Sequence, residues 1–204
     1  MSENKKLKIG ITGGIGSGKT TVCRIFETLG IPVYYADDRA KALMIENPDL
    51  IKRIKELFGE AAYLPDGSLN RAYIADIAFH NPLKLNELNA AVHPAVWLDG
   101  EAWHNAQTHA PYTLKEAALL FESGGNLLLD KIITVVAPVE TRIERVLLRG
   151  GGTLKRSDIE ARIAKQLPDE EKVKKSDFVI QNDGNQALIP QVLEIHNRIM
   201  SYEL

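Results

Sequence analysis

The stretch Gly13–Thr20, GGIGSGKT, is the feature that most limits how this chain can fold. It matches the pattern G-x-x-x-x-G-K-[ST], with a β-branched run at 8–12 before it and apolar residues at helical spacing after it. Glycines allow the tight turn that points successive backbone N–H groups at a phosphate, and the helix N-terminus adds partial positive charge. The stretch therefore predicts a phosphate-binding loop between a strand and a helix.

The side chains of this loop have distinct expected tasks. Lys19 brings a cation to the β- and γ-phosphates, and Thr20 offers a hydroxyl oxygen to Mg²⁺. The residues expected to contact the nucleotide are Gly14, Gly16, Ser17, Gly18, Lys19, Thr20 and Thr21. These expectations do not yet choose between a kinase, a GTPase and an ATP-driven machine.

Hydrophobic patterning predicts an α/β fold, namely a P-loop NTPase-type parallel sheet flanked by helices. Gly30 ends the first helix, and the run at 131–138 is apolar on both faces, as a buried parallel strand requires. A capping box from Ser157 to Glu160 predicts a helix that continues to Pro168. The other predicted elements are strands at 32–36, 112–121 and 177–182 and helices at 139–149 and 187–201.

Periodicity and turn residues divide the chain into three predicted parts. They are a nucleotide-binding core (1–37, 111–149 and 177–204), a helical insertion (38–110) and a lid (150–176). The lid segment begins with three glycines and follows a helix that carries Arg145 and Arg149 four residues apart. Guanidinium groups beside a glycine hinge can close over a phosphoryl group, which is why we expect a lid there.

Composition restricts the partners. The 204 residues carry 25 Lys and Arg against 27 Asp and Glu, a net charge of −2, which argues against nucleic-acid binding by a broadly positive surface. The first residues lack the apolar core of a signal peptide, and no stretch approaches the roughly 20 apolar residues that span a bilayer. The single cysteine, Cys23, has no partner for an internal disulfide. We therefore expect a cytoplasmic protein with no nucleic-acid or membrane partner.

Acidic residues near the sheet are candidates for chemistry. Asp37 follows the second predicted strand, so it is expected at the carboxyl edge, where it can orient or deprotonate a hydroxyl and meet Mg²⁺ through water. Asp37 or Asp38 can equally cap the next helix. Asp130 precedes the strand at 131–138, so we interpret it as a strand-entry residue rather than a metal ligand. An Asn-Lys-x-Asp motif is missing from the sequence, which argues against a GTPase.

Taken together and in order, the motifs resemble those of the dephospho-coenzyme A kinase family over nearly the whole chain. The matching stretches are IGITGGIGSGKTTV, YYAD, DGSLNR, LNAAVHP, LLFE, RVLLR, Gln166 and DFVIQN. The resemblance implies transfer of the γ-phosphoryl group of ATP to the ribose 3′-hydroxyl of dephospho-coenzyme A, with Mg²⁺. It also implies a nucleotide core, a helical domain that binds the coenzyme, and a lid.

The resemblance implies roles for individual residues. Asp37 would be the base or hydroxyl-orienting group, while Lys19, Arg145 and Arg149 would stabilise charge on the phosphates. Asn182 would lie near the adenine of ATP. The residues implied at the acceptor substrate are Asp37, His93 and Glu122.

The chain departs from the usual family sequence at three positions. Tyr35 stands where the family usually has an aspartate, Ala118 replaces a proline and Asn70 replaces an aspartate. Because only Asp37 is expected at the mouth of the sheet, the change at Tyr35 should remove a supporting contact and leave the reaction intact. The alternatives are a kinase for another small nucleotide or nucleoside and a non-catalytic ATP-sensing protein. ATP and dephospho-coenzyme A are the expected partners of a monomer or weak homo-oligomer.

Overall fold

The fold is built on a five-stranded sheet. A computed structural model describes residues 6–151 and 153–201. The strands are β1 (Leu7–Thr12), β2 (Val33–Tyr35), β3 (Tyr112–Glu116), β4 (Lys131–Val136) and β5 (Phe178–Gln181). Their order is β2-β3-β1-β4-β5, and the β1–β3, β1–β4 and β4–β5 pairs are parallel. The predicted α/β fold with a parallel sheet is therefore confirmed.

Nine α-helices occur among the described residues. They are α1 (Lys19–Thr28), α2 (Ala36–Glu46), α3 (Pro48–Phe58), α4 (Arg71–His80), α5 (Pro82–Ala106), α6 (Val139–Arg149), α7 (Arg156–Ala164), α8 (Asp169–Lys174) and α9 (Leu188–Ser201). Short 3₁₀ turns lie at Glu60–Ala62 and Gly125–Leu128. Along residues 6–151 and 153–201, no helix combines the length and the apolar composition that a membrane span requires.

The chain divides into two compact units. One contains the residues up to Tyr34 together with those from Gln107 onward, and it includes β1, β3, β4 and β5. The other is Tyr35–Ala106, which contains α2, α3, α4 and α5.

Apolar side chains on both faces of the sheet form the core of the first unit. Ile11 of β1 is in register with Ile133 of β4, and neither side chain is exposed to solvent. This double burial explains why β1 and β4 read as continuous apolar runs rather than as alternating ones. The helices that flank the sheet contribute fully or almost fully buried residues: Val22 and Phe26 from α1, and Val192, Ile195 and Ile199 from α9.

The second unit is a cluster of helices with conventional caps and one strong ion pair. The side chain of Asn47 accepts a hydrogen bond from the backbone N–H of Leu50 and so caps α3. Arg39 of α2 donates to both carboxylate oxygens of Asp99 of α5, at 3.0 and 2.9 Å, which joins the two helices. The buried residues of α3 follow helical spacing: Leu50, Ile54 and Phe58.

The strand predicted at 112–121 is too long. Strand β3 ends at Glu116, and the chain then turns, with the N–H of Ser123 bonded to the oxygen of Leu119. Leu120, in the turn that follows β3, is a core side chain: it is 1% exposed and packs over Gly10 of β1, where a Cβ would be too close to it.

Other boundaries also differ from prediction. The strand predicted at 32–36 ends at Tyr35, because Ala36 already begins α2. The predicted capping box at Ser157 is wrong: α7 begins at Arg156, and the backbone N–H of Lys155 bonds Asp158 Oδ2 at 3.0 Å. The helix also ends at Ala164, before Pro168. The strand-entry role of Asp130 is confirmed, since its carboxylate accepts the N–H of Lys8 at 2.8 Å at the edge of β4.

Candidate active site

The loop between β1 and α1 has the shape that a phosphate-binding loop requires. Gly16 and Gly18 have φ values of +79° and +94°, a region that only glycine enters without strain. The loop is also packed closely from behind: a Cβ on Gly13 would overlap the main-chain oxygen of Val135. Gly18 immediately precedes α1, so the loop leads directly into a helix N-terminus.

Lys19 lies buried at the start of α1. Its ammonium group donates a 3.0 Å hydrogen bond to the main-chain oxygen of Gly13, so the side chain lies back along the loop, and it is only 8% exposed. Glu116 Oε1 lies 3.9 Å from the same ammonium group and is equally buried. A cation and a carboxylate are thus held together at the carboxyl edge of the sheet.

The position of Glu116 follows from strand register. Glu116 pairs with Ile11, one residue before the end of β1, and it is the last residue of β3. Both strands therefore deliver their ends to the phosphate loop. Sequence reasoning missed Glu116 because the predicted strand ran on to residue 121; the signal that was available is the pair of charged residues, Lys115 and Glu116, that follows the first three residues of that strand.

Asn182 supports the loop from the end of β5. Its Nδ2 donates to the main-chain oxygen of Ser17 at 2.7 Å, and a Cβ on Gly18 would overlap the same amide nitrogen. Arg145 of α6 in turn donates to the main-chain oxygen of Asn182 at 3.1 Å. The Nη1 of Arg145 is buried and has no hydrogen-bond partner among the described residues.

Gln166 contacts the loop on its other side. The backbone N–H of Ile15 donates to Gln166 Oε1 at 2.9 Å, across 151 residues of sequence. The amide nitrogen of Gln166 lies 3.5 Å from the main-chain oxygen of Ala118, at the limit of a hydrogen bond. A side chain between α7 and α8 therefore occupies one of the N–H groups of the phosphate loop.

A charge pair with a buried guanidinium group lies next to the loop. Arg142 of α6 is 4% exposed, and its Nη1 lies 3.3 Å from Asp169 Oδ1. A Cβ on Gly14 would overlap the Arg142 guanidinium, and a Cβ on Gly16 would overlap the main-chain oxygen of Arg142. The glycines of the loop are therefore needed for close approach to Arg142 as well as for the turn.

Comparison with known proteins identifies the family. The family model for dephospho-CoA kinase matches residues 7–187. The chain is 44% identical over 178 residues to the dephospho-CoA kinase of Salinibacter ruber, which covers 86% of this chain and 88% of that protein. It is 38% identical over 189 residues to the dephospho-CoA kinase of Bacteroides fragilis, which covers 93% of this chain and 91% of the relative. This chain belongs to the dephospho-CoA kinase family.

Solved structures agree with this family. The dephospho-CoA kinase from Campylobacter jejuni has a TM-score of 0.69 at 25% identity, with 97% of this chain and 98% of that chain covered. A shikimate kinase from Acinetobacter baumannii, with a TM-score of 0.52 at 19% identity, shares the fold. The resemblance stated from the sequence motifs and the P-loop fold are both confirmed.

Other residues implied by the dephospho-CoA kinase family lie in the first unit. Glu122 Oε1 accepts the backbone N–H of Leu167 at 2.7 Å and lies 3.5 Å from the ammonium group of Lys172, which is fully buried. Arg149, Thr20 and Thr21 are exposed. Glu122 thus holds the segment after Gln166, which is a structural contact that the sequence did not predict.

The remaining family positions lie in the helical unit. Asp37 and Asp38 are exposed in the first turn of α2, and Asp38 forms an ion pair with Lys41 at 2.6 Å. The cap position belongs to Tyr35, which makes no side-chain capping bond, so the interpretation of either aspartate as the helix cap is wrong. His93 is exposed on α5, and partial desolvation of its ring lowers its pKa.

Two side chains near the phosphate loop carry oxygen donors of the type that suits a magnesium ion. Mg²⁺ in phosphoryl-transfer sites takes one or two protein oxygens and completes its shell with phosphate oxygens and water. The hydroxyl of Thr20, in the first turn of α1, and the carboxylate of Glu116, which ends β3 and lies 3.9 Å from the Lys19 ammonium group, are oxygen donors of this kind.

Proposed function

We propose that this chain is a dephospho-CoA kinase, which transfers the γ-phosphoryl group of ATP to the ribose 3′-hydroxyl of dephospho-CoA and releases CoA and ADP. The observation that carries the proposal is the family match over residues 7–187, on a fold whose phosphate loop is intact from Gly13 to Thr20. The chain is then an ATP-dependent phosphotransferase with an alcohol acceptor.

The loop binds and orients the polyphosphate. Backbone N–H groups between Gly14 and Thr21, apart from the Ile15 N–H that Gln166 occupies, receive the phosphate oxygens together with the N-terminus of α1. Lys19 neutralises charge between the β- and γ-phosphates, and Asn182 keeps the loop in shape from the side on which we place adenine. Phosphoryl transfer requires little covalent chemistry from the protein, so this positioning supplies much of the catalysis.

The transfer breaks one bond and forms another. The 3′-hydroxyl oxygen attacks the γ-phosphorus, the bond to the bridging oxygen breaks, and ADP leaves with that electron pair. We propose that Asp37 accepts the hydroxyl proton. Lys19, Arg145 and Arg149 would stabilise the negative charge on the equatorial oxygens. Bound Mg²⁺, held through Thr20 with Glu116 or a water-linked Asp37, would offset charge on the phosphates.

The acceptor and the closing movement are assigned to other regions. We place dephospho-CoA at the helical residues 38–110, with His93 and Glu122 among its contacts, and we assign a lid role to 150–176. The predicted cytoplasmic location, the monomer or weak homo-oligomer, and the lack of nucleic-acid and membrane partners belong to the same proposal.

A coupled assay of ADP release tests the function. With ATP, Mg²⁺ and dephospho-CoA, the wild-type chain should release ADP, and the product should be CoA by mass. The Lys19→Ala variant should lose both ATP binding and turnover. Turnover with nucleoside monophosphates but not with dephospho-CoA would identify a different small-nucleotide kinase, and ATP binding with no turnover would identify a sensor.

A further inference from the structure

The buried pair of Arg142 and Asp169 lies directly against the phosphate loop. The guanidinium group is 4% exposed, and it approaches Gly14 so closely that a side chain at position 14 would overlap its Nη1. A Cβ at Gly14 would also lie 3.3 Å from Asp169 Oδ1. Both charges therefore lie at the second residue of the loop that receives polyphosphate.

Arg142 does not use all of its hydrogen-bond donors in this ion pair. Nη1 and Oδ1 are 3.3 Å apart, and Arg142 Nε is buried with no hydrogen-bond partner among the described residues. A guanidinium has five N–H donors and a buried one normally uses them. Asp169 is also the more exposed partner, with a quarter of its side chain accessible. Solvent consequently screens the carboxylate more than the guanidinium, and the pair leaves net positive potential at Gly14.

We propose that Arg142 strengthens the binding of nucleotide polyphosphate by this positive potential, and that Asp169 opposes it while stabilising the fold. Arg142 is a positioning residue here: it acts on the phosphates through the loop. The inference rests on the proposed function, because it needs a polyphosphate in the loop. It adds Arg142, on the side of the loop that packs against α6, as a determinant of nucleotide affinity.

The two members of the pair therefore have opposite expected effects on affinity. Arg142→Gln removes the positive charge and leaves the carboxylate near Gly14, so ADP should bind about tenfold more weakly. Asp169→Asn keeps an amide oxygen for the guanidinium and removes the negative charge, so ADP should bind about threefold more tightly. Both single variants should have a lower unfolding temperature than the wild type, because each leaves a buried or half-buried charge without its partner.

Calorimetric titration of ADP into the wild type, both single variants and the Arg142→Gln/Asp169→Asn double variant tests the inference. The double variant should return toward wild-type affinity. The differences should be larger without Mg²⁺, which neutralises part of the phosphate charge, and smaller at high salt. Arg142→Lys, which keeps the charge, is the control and should stay near the wild type.

The test depends on whether the affinity for ADP changes in opposite directions in Arg142→Gln and Asp169→Asn. A pair with only a structural role would weaken ADP binding in both single variants or in neither, and either result would overturn the inference. If Arg142→Gln fails to fold, Asp169→Asn alone decides, since tighter binding in a less stable protein is not expected of a structural pair. ADP binding needs no acceptor, so a wild type that binds ADP without phosphorylating dephospho-CoA would refute the proposed function and leave this test intact.

Discussion

The side-chain amide of Asn182 donates a 2.7 Å hydrogen bond to the main-chain oxygen of Ser17, and so ties the end of β5 to the phosphate loop. The two residues are 165 positions apart in the sequence. Close packing accompanies the bond, because only a glycine at position 18 leaves room for the amide. The last strand of the sheet thereby takes part in shaping a loop that is made by the first.

Replacing Asn182 by alanine should therefore weaken nucleotide binding. The loss of one partly buried hydrogen bond costs about 1 kcal/mol, so KM for ATP should rise about fivefold, with a smaller change in kcat. Steady-state kinetics with varied ATP measures both parameters. Asn197→Ala, an exposed position on α9, is the control and should behave as wild type. Equal KM values in the two variants would show that the bond does not shape the loop.

Two substitutions of Gln166 test its contact with the backbone N–H of Ile15. Gln166→Ala removes the acceptor of the loop N–H and should lower kcat/KM for ATP about tenfold. Gln166→Glu keeps an acceptor for that N–H but adds a negative charge at the loop, so it should lower kcat/KM further while unfolding near the wild-type temperature.

Asn197→Asp, which adds the same charge on an exposed face of α9, is the matched control for Gln166→Glu. Thermal unfolding followed by circular dichroism supplies the stability readout. If Gln166→Glu is as active as Gln166→Ala or more so, the side chain lies too far from the phosphates for its charge to matter.

The neighbouring aspartates of α2 form a natural pair of variant and control. Asp37→Asn should lower kcat by at least about 100-fold, because a positioned base contributes this much, and should leave ATP affinity unchanged. Asp38→Asn breaks only the surface ion pair with Lys41 and should change stability by less than about 1 kcal/mol and kcat not at all. Single-turnover rates and ATP titrations separate chemistry from binding. Full activity of Asp37→Asn would remove the role assigned to it.

His196 gives a prediction for pH. Burial lowers the pKa of His196 from its ordinary 6.5, and its Nδ1 lies 2.7 Å from the hydroxyl of the buried Tyr112. The unfolded chain therefore binds a proton more readily than the folded one, so stability is lost as pH falls from 6.5 toward the lower folded pKa and is unaffected above that range. His93, whose pKa is lowered too, adds in the same direction.

Urea unfolding at several pH values checks this. His196→Gln should reduce the loss of unfolding free energy between pH 7 and 5 relative to wild type, whatever its effect at pH 8. His109→Gln, at an exposed position, should keep the wild-type slope. Identical slopes for all three proteins would mean that His196 is protonated equally in the folded and unfolded chains.

Local patterns predicted the fold well where the decisive contacts are local. The phosphate loop, α1 and the turn at Gly30 depend on neighbouring residues, and the structure has them where the sequence placed them. The β-branched run of β4 likewise reflects burial on both faces of the strand.

Prediction was poorer where the structure depends on contacts between residues that are far apart in the sequence. The apolar stretch after β3 looks like a continued strand, whereas it forms a turn in which Leu120 packs over Gly10, a contact between residues 110 positions apart. Gln166 and Asn182 contact the loop across more than 150 residues, and no periodicity encodes such a contact. Arg142 lies on α6 with Arg145 and Arg149, and nothing in that helical spacing indicates that its side chain is only 4% exposed.

The strand order has a consequence for how the protein is made. Strand β1, which leaves the ribosome before the other four strands, occupies the centre of the sheet, and its two neighbours begin only at Tyr112 and Lys131. One edge of β1 therefore has no partner strand until β3 has been synthesised, and the other has none until β4 has been synthesised. A nascent chain halted before β4 should have no nucleotide affinity, and during that interval an unpaired edge of β1 is open to pairing with strands of other chains.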